Sequence, residues 1–221
     1  MASQPELTVH EICHSIQGES TWAGLPFVIV RLTGCPLRCT YCDTSYAYEG
    51  GHKTAVEAIV KRVRTFDCPH VLVTGGEPLA QADCPALLTA CCDAGWTTLL
   101  ETAGSHDVSA IDKRVHLIMD LKTPGSGEVE RNRWSNVEHL QAERDEVKFV
   151  LTNRADYDWT KQQIQAHQLA DRVRAILLSP AHGSVSYAEL ARWILDDGLP
   201  PPVRLHLQLH KHIWGPDTKG V

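Results

Sequence analysis

The sequence has no apolar run near the roughly 18–20 residues that a membrane-spanning helix needs, and no internal repeat, low-complexity tract or interdomain linker. A membrane span is excluded, and 221 residues fit one domain, 1–221, able to bury a substantial core. There is also no excess of positive charge: 21 Lys and Arg against 27 Asp and Glu leave a net charge of −6. The basic footprint of a nucleic-acid binder is therefore missing. The first residues, Met1-Ala2-Ser3-Gln4-Pro5-Glu6, lack the basic start and apolar stretch of a secretory leader. The expected compartment is the cytoplasm, where thiols stay reduced.

What the chain does have is eight cysteines, at 13, 35, 39, 42, 68, 84, 91 and 92. In a reducing compartment these are packed thiols, metal ligands or catalytic groups, not four disulfides. Cys84, Leu87, Leu88, Cys91 and Cys92 follow the spacing of one helix face and read as small buried hydrophobes. Cys13, in a strand, and Cys68, before Pro69, read the same way. Cys35, Cys39 and Cys42 differ, because they share one short loop.

Short β-like runs alternate with amphipathic helices. Strands are expected at 8–13, 27–33, 70–74, 97–102, 115–121, 146–151, 174–179 and 203–209. Runs such as Phe27-Val28-Ile29-Val30 are apolar throughout, which suits parallel strands covered on both faces. Helices are expected at 54–66 and 186–196, opened by the capping-box patterns Thr54-Ala55-Val56-Glu57 and Ser186-Tyr187-Ala188-Glu189. The fold class is α/β with a mostly parallel, curled sheet; a full eight-fold barrel takes about 250 residues, so a partial βα barrel is the better fit. The stretch 123–131 reads as a mobile loop.

Cys35-Pro36-Leu37-Arg38-Cys39-Thr40-Tyr41-Cys42 is C-x3-C-x2-C directly after a strand. Structural zinc needs four ligands, and no second Cys/His pair at zinc-finger spacing follows, although His52 or Cys68 remains available as a fourth. A [4Fe–4S] cluster on three cysteines leaves one iron open to a small molecule. This spacing, with an aromatic residue before the third Cys, resembles the radical S-adenosylmethionine superfamily. Thr74-Gly75-Gly76-Glu77-Pro78, at a strand end, is similar to that superfamily's GGEP motif.

The resemblance narrows with Ser15-Ile16-Gln17-Gly18-Glu19, Val30-Arg31-Leu32-Thr33-Gly34-Cys35, Cys42-Asp43-Thr44, Glu101-Thr102 and Gln208-Leu209-His210-Lys211. In order and spacing these look like the 7-carboxy-7-deazaguanine synthase family. That resemblance implies conversion of 6-carboxy-5,6,7,8-tetrahydropterin to 7-carboxy-7-deazaguanine with loss of ammonia, in queuosine and 7-deazapurine biosynthesis. It implies a [4Fe–4S] cluster on Cys35, Cys39 and Cys42, and S-adenosylmethionine against Tyr41, Cys42, Asp43, Gly76, Glu77, Asp120, Leu121, Lys122, Ser179, Pro180, Ala181 and His182. It implies Mg²⁺ at Thr44, and substrate at Ile16, Gln17, Gly18, Arg31, Thr74, Glu101 and His210. A flavodoxin-type electron donor and a homodimer follow from the same resemblance. Asp120-Leu121-Lys122 departs from the family's commoner Ser-x-Lys, and the tail 212–221 runs past the point where some relatives end. A glycyl-radical-enzyme activase, acting on a protein, is the alternative enzyme; a zinc-binding interaction module is the alternative that is not one.

Overall fold

A computed structural model describes residues 4–216 and 218–220. Nine strands form one sheet: β1 Glu6–Ile16, β2 Pro26–Leu32, β3 His52–Ala55, β4 His70–Gly75, β5 Thr97–Thr102, β6 His116–Asp120, β7 Glu146–Leu151, β8 Ala175–Pro180 and β9 Val203–Leu205. Their order is β3-β1-β2-β4-β5-β6-β7-β8-β9. β1 runs antiparallel to both β2 and β3, and every neighbouring pair from β2 to β9 is parallel. The sheet stays open, with β3 and β9 at opposite edges.

The helices α1 Val56–Arg64, α2 Cys84–Asp93, α3 Arg154–Ala166 and α4 Tyr187–Asp197 cover the outer face; a short α5, Leu209–Trp214, follows β9. Strand alternation divides the side chains between two faces. Val28, Val30, Val71, Val73 and Leu100 pack outward with Ile59, Val63, Leu87, Leu88 and Cys91 of α1 and α2. Val147, Phe149, Ile176 and Leu178 pack with Tyr157, Ile164 and Leu190 of α3 and α4. The inner face carries Phe27, Ile29, Leu72, Leu99 and Ile118 in a separate cluster, with Trp22 from the β1–β2 connection packed against it. Both faces are thus covered, as the apolar strands require.

Two residues beyond four of these inner apolar positions, Ile29, Leu72, Leu99 and Ile118, the same face presents Arg31, Thr74, Glu101 and Asp120. The interior is apolar at one end of the strands and polar at their C-terminal ends, where ligands sit in α/β sheets. The segment 17–22 closes much of the gap between the sheet's two ends. Ser20 donates its backbone N–H to His206 Nε2 at 2.9 Å, Leu209 donates to Gly18 O at 2.8 Å, and Thr21 donates its N–H and hydroxyl to Glu146.

Several sequence expectations change. β3 was not anticipated, and Thr54 belongs to it: paired with Leu7, its hydroxyl donates to His52 O and caps nothing. Ala55 takes the N-cap position of α1, with no side-chain cap. At α4 the expected device is present, Ser186 Oγ accepting from Glu189 N at 3.1 Å. Ser186→Ala is expected to cost about 1 kcal/mol, measured by denaturant unfolding. The expected strand 203–209 stops at Leu205, because the chain turns inward to bring His206 to Ser20 and Gln208 to Glu19.

The stretch 123–131 is not a free loop. It forms two 3-10 turns, Pro124–Ser126 and Val129–Arg131, with Thr123 and Ser126 buried. Thr123 donates its hydroxyl to Val150 O at 2.9 Å, and Gly125 N donates to Asp156 Oδ1 at 2.7 Å. Lys122 and Asn132 clamp its base through Lys122 N to Asn132 Oδ1 and Asn132 Nδ2 to Lys122 O, each at 2.8 Å.

Candidate active site

The cysteine loop leaves β2 through Gly34, whose φ of 96° lies in the left-handed region that glycine adopts without strain. Leu37 is buried and anchors the loop. On its far side Thr40 donates from its backbone to Ser126 O at 3.0 Å and from its hydroxyl to Gly125 O at 2.8 Å, while Arg38 N donates to Glu128 Oε1 at 2.6 Å. The ordered stretch 123–131 is therefore the buttress of the residues on either side of Cys39. Nothing in its Pro/Gly/Ser-rich sequence signals this, since the partners lie far apart along the chain.

Cys35, Cys39 and Cys42 are half-buried free thiols lining a cavity of about 240 Å³. Burial pushes Cys39 up to about 11 and also raises Cys35, so both hold their protons until a metal displaces them. Neither suggested fourth zinc ligand joins them. Cys68 donates towards Pro26 O at the opposite end of β2, and His52 is exposed on β3. Among the described residues no three His, Cys, Asp or Glu side chains form a single-ion ligand set. Three thiols along one cavity wall, with no fourth, fit a cluster bound by three cysteines.

The Gly75–Gly76 turn packs under this loop. A Cβ on Gly75 would lie 2.1 Å from Leu32 O; one on Gly76 would lie 2.3 Å from Gly34 O and 2.7 Å from Cys35 Cβ. Gly76 N donates to Leu32 O and Glu77 N to Gly34 O. Glu77 itself turns away from the cavity. It is fully buried and accepts from Leu79 N at 2.9 Å, Ala103 N at 2.6 Å and the Thr102 hydroxyl at 2.9 Å. Its carboxylate locks the ends of β4 and β5 together, which corrects the expectation of a cofactor contact.

The other expected residues divide in the same way. Ile16, Gln17, Gly18, Arg31, Tyr41, Asp43, Thr44, Thr74, Glu101, Asp120, Lys122, Ala181, His182 and His210 all line the cavity. Leu121 and Pro180 do not; they point outward or lie within the wall, because alternation turns residues next to an inward one away. Ser179 is also buried outside the lining, its hydroxyl without a hydrogen-bond partner among the described residues. Gly18 is needed where it stands, since a Cβ there would lie 2.1 Å from His210 Nδ1.

Charge is closely managed. Arg31 Nε meets Glu11 at 2.6 Å, and among the described residues its Nη groups make no hydrogen bond. Lys211 Nζ lies 2.7 Å from Asp43 Oδ2, and the Thr44 hydroxyl donates to Asp43 Oδ1 at 3.0 Å. Burial opposes ionisation of Asp43, but the charge and hydrogen bond of Lys211 override it and hold the carboxyl below its usual range. Asp120 and Lys148 are register partners on β6 and β7. Lys148 Nζ lies 2.5 Å from Glu19 Oε2 and 3.4 Å from Asp120 Oδ2; Lys122 Nζ lies 3.1 Å from Asp120 Oδ1. Glu101 accepts from Gln17 Nε2 at 3.3 Å and the Thr74 hydroxyl at 3.2 Å. Burial, then repulsion from Glu19, pushes its carboxyl up to about 7.

Sequence reasoning missed Lys148, Gln208, Lys211, Tyr46 and Tyr48 as wall residues and gave Glu19 no role. For Lys148 a signal existed: it is a lone cation between Val147 and Phe149 in an apolar strand. The tail crosses the same cavity, with Pro216 and Thr218 in its wall and Lys219 Nζ 4.9 Å from the Tyr46 ring centre. Asp217 and Val221 of that tail lie outside the described residues.

Residues 29–124 match the model of the Radical SAM superfamily. A relative from Chlorobaculum tepidum named 7-carboxy-7-deazaguanine synthase is 45% identical over 223 residues, covering 100% of both chains. One of the same name from Koribacter versatilis is 38% identical, covering 97% of this chain and 100% of its own. The crystal structure of QueE from Escherichia coli superposes with a TM-score of 0.72 at 22% identity, covering 93% of this chain and 95% of that one.

Proposed function

Since the chain belongs to the 7-carboxy-7-deazaguanine synthase family of the radical S-adenosylmethionine superfamily, we propose that it converts 6-carboxy-5,6,7,8-tetrahydropterin to 7-carboxy-7-deazaguanine, with the cavity beside the cysteine loop holding both cofactors and the pterin. The observation that carries this reading is the convergence of two sets of groups on that cavity. Three thiols without a fourth form one wall, and Gln17, Arg31, Thr74, Glu101 and His210 form another. When bound, the [4Fe–4S] cluster and S-adenosylmethionine supply the radical chemistry, and the chain binds, orients and shields.

In this reading Cys35, Cys39 and Cys42 hold the cluster. Tyr41, Asp43, Gly76, Asp120, Lys122, Ala181 and His182 line the S-adenosylmethionine side, with the unpartnered Ser179 hydroxyl behind them. Gly76 has no room for a side chain against Gly34 and Cys35, and so seats the turn directly under the cysteine loop on this side. Arg31, oriented through its Nε by Glu11, offers its Nη fork to the substrate carboxylate. Gln17 supplies a donor and an acceptor to the pterin amide edge, and Glu101 accepts from the ring N–H groups.

Thr44 is the proposed Mg²⁺ ligand, a hard oxygen donor beside Asp43. The electron donor is proposed to be flavodoxin-type, the assembly a homodimer and the compartment the cytoplasm, where the eight free thiols keep their reduced state. The test is anaerobic turnover with the carboxytetrahydropterin, S-adenosylmethionine, Mg²⁺ and reductant. Release of 7-carboxy-7-deazaguanine is expected. Its absence from a preparation that carries its cluster and cleaves S-adenosylmethionine would refute the assignment.

A further inference from the structure

Among the described residues, every charged side chain lining the cavity has an opposite charge within 4.0 Å, except Glu101. Arg31 is matched by Glu11, Asp43 by Lys211, and Asp120 by Lys122 and Lys148. Glu19 has Lys148 alone, together with the neutral Gln208 amide, which donates to Glu19 Oε1 at 2.7 Å. We infer that Lys148, by bridging Glu19 and Asp120, is the positioning residue that leaves Glu101 as the one unpaired acid of the cavity and so reserves its carboxylate for the N–H edge of the substrate's aminopyrimidinone ring. This rests on the substrate reading above and adds to it a residue outside every motif of the sequence.

The geometry gives Lys148 this reach. Its place in register with Asp120 brings β7 to β6, and its contact with Glu19 pins the segment that closes the gap in the sheet. Gln17, two residues from Glu19, is one of the two groups that orient Glu101, the Thr74 hydroxyl being the other. Lys148 therefore fixes both the charge balance around Glu101 and the turn that holds it.

Glu19 from the β1–β2 connection, Arg31 from β2 and Lys148 from β7 act on Glu101; Asp120 of β6, Lys122 just after it and His210 after β9 line the same cavity, and His206 lies by Glu19 and Lys148. Burial and Glu19 disfavour the ionised form of Glu101, whereas Lys148 and Arg31 favour it. Removing the Lys148 cation moves proton uptake by the acids to higher pH. The ionised carboxylate accepts N–H donors, so binding weakens as pH falls through its pKa. Without Lys148 that loss begins at higher pH.

The experiment uses 6-carboxypterin, an oxidised pterin acid followed by its own fluorescence, binding to the anaerobic cluster-loaded protein from about pH 5 to 8. The unaltered protein is expected to lose affinity as pH falls through about 7, the value to which Glu101 is pushed. Glu101→Gln should remove that limb, which assigns it to Glu101 and not to His206 or His210. Lys148→Met should shift the limb up by about one unit, weakening binding roughly fivefold at about pH 7 and approaching tenfold at lower pH. Lys148→Arg should keep the limb near its original place. The charge-balanced double variant Glu19→Gln/Lys148→Met should return it there.

A limb that stays put in Lys148→Met, or a double variant as impaired as a merely structural loss would make it, overturns the inference. The double variant carries the test even where a lone buried Glu19 prevents Lys148→Met from folding. Absence of 6-carboxypterin binding by the unaltered protein at every pH would overturn the substrate reading itself, and this inference with it.

Discussion

Cys39→Ala is expected to lose its iron while keeping its fold. The neighbours of Cys39 are held from outside the loop, Arg38 by Glu128 and Thr40 by Gly125 and Ser126, so the backbone stays in place when the sulfur goes. The thiol is only half-buried, and its loss costs about 1 kcal/mol or less of packing. The consequence for chemistry is far larger, because two cysteines cannot retain a cluster that already has one ligand fewer than usual. Turnover should fall by at least about a thousandfold, the scale on which an indispensable group is lost. Iron and sulfide analysis alongside thermal melting of the metal-free protein checks both halves. A variant that keeps a full complement of iron would remove Cys39 from the ligand set.

Gly76→Ala should be nearly as damaging for a different reason. The added Cβ would meet Gly34 O at 2.3 Å and Cys35 Cβ at 2.7 Å, and neither is the free end of a flexible side chain. Relief requires movement of β4's end or of the base of the cysteine loop. Overpacking of this kind costs about 1–3 kcal/mol, and a displacement near 1 Å in a reacting geometry costs on the order of a hundredfold in rate. Affinity for S-adenosylmethionine, measured on anaerobic cluster-loaded protein, should fall by about the same factor. Unchanged affinity and turnover would show that backbone approach at Gly76 is not what the turn provides.

How much of this was legible beforehand depends on which physical cue each residue carries. Glu101 and Asp120 are legible as candidates because polar groups at the ends of apolar strands mark the ligand-facing edge of a parallel sheet, whereas Arg31 and Thr74 enter only through the family resemblance; all four line the cavity. Leu121, Pro180 and Glu77 were misread because a motif names neighbours in sequence, while alternation and local turns send them to different sides of the wall. Glu77 is the clearest case: three donors from Leu79, Ala103 and Thr102 consume a carboxylate that the motif alone places at the cofactor. The buttress at 123–131 was invisible because Asp156, which holds Gly125, lies on a helix reached only through β7. Thr54 carries a helix-cap pattern in the sequence, but its pairing with Leu7 places it in β3. Lys148 sits between Val147 and Phe149 and belongs to no motif, so only the register of β6 with β7 reveals its partners.

Cys35, Cys39 and Cys42 are proposed to hold an iron–sulfur cluster with one iron left open toward the cavity. Electron paramagnetic resonance of the reduced, anaerobically loaded chain, before and after addition of S-adenosylmethionine, tests it most directly. A reduced-cluster signal from about four irons per chain is expected, changed in shape when S-adenosylmethionine is added. Stoichiometric zinc with no such signal, or a cluster signal indifferent to S-adenosylmethionine, would contradict it.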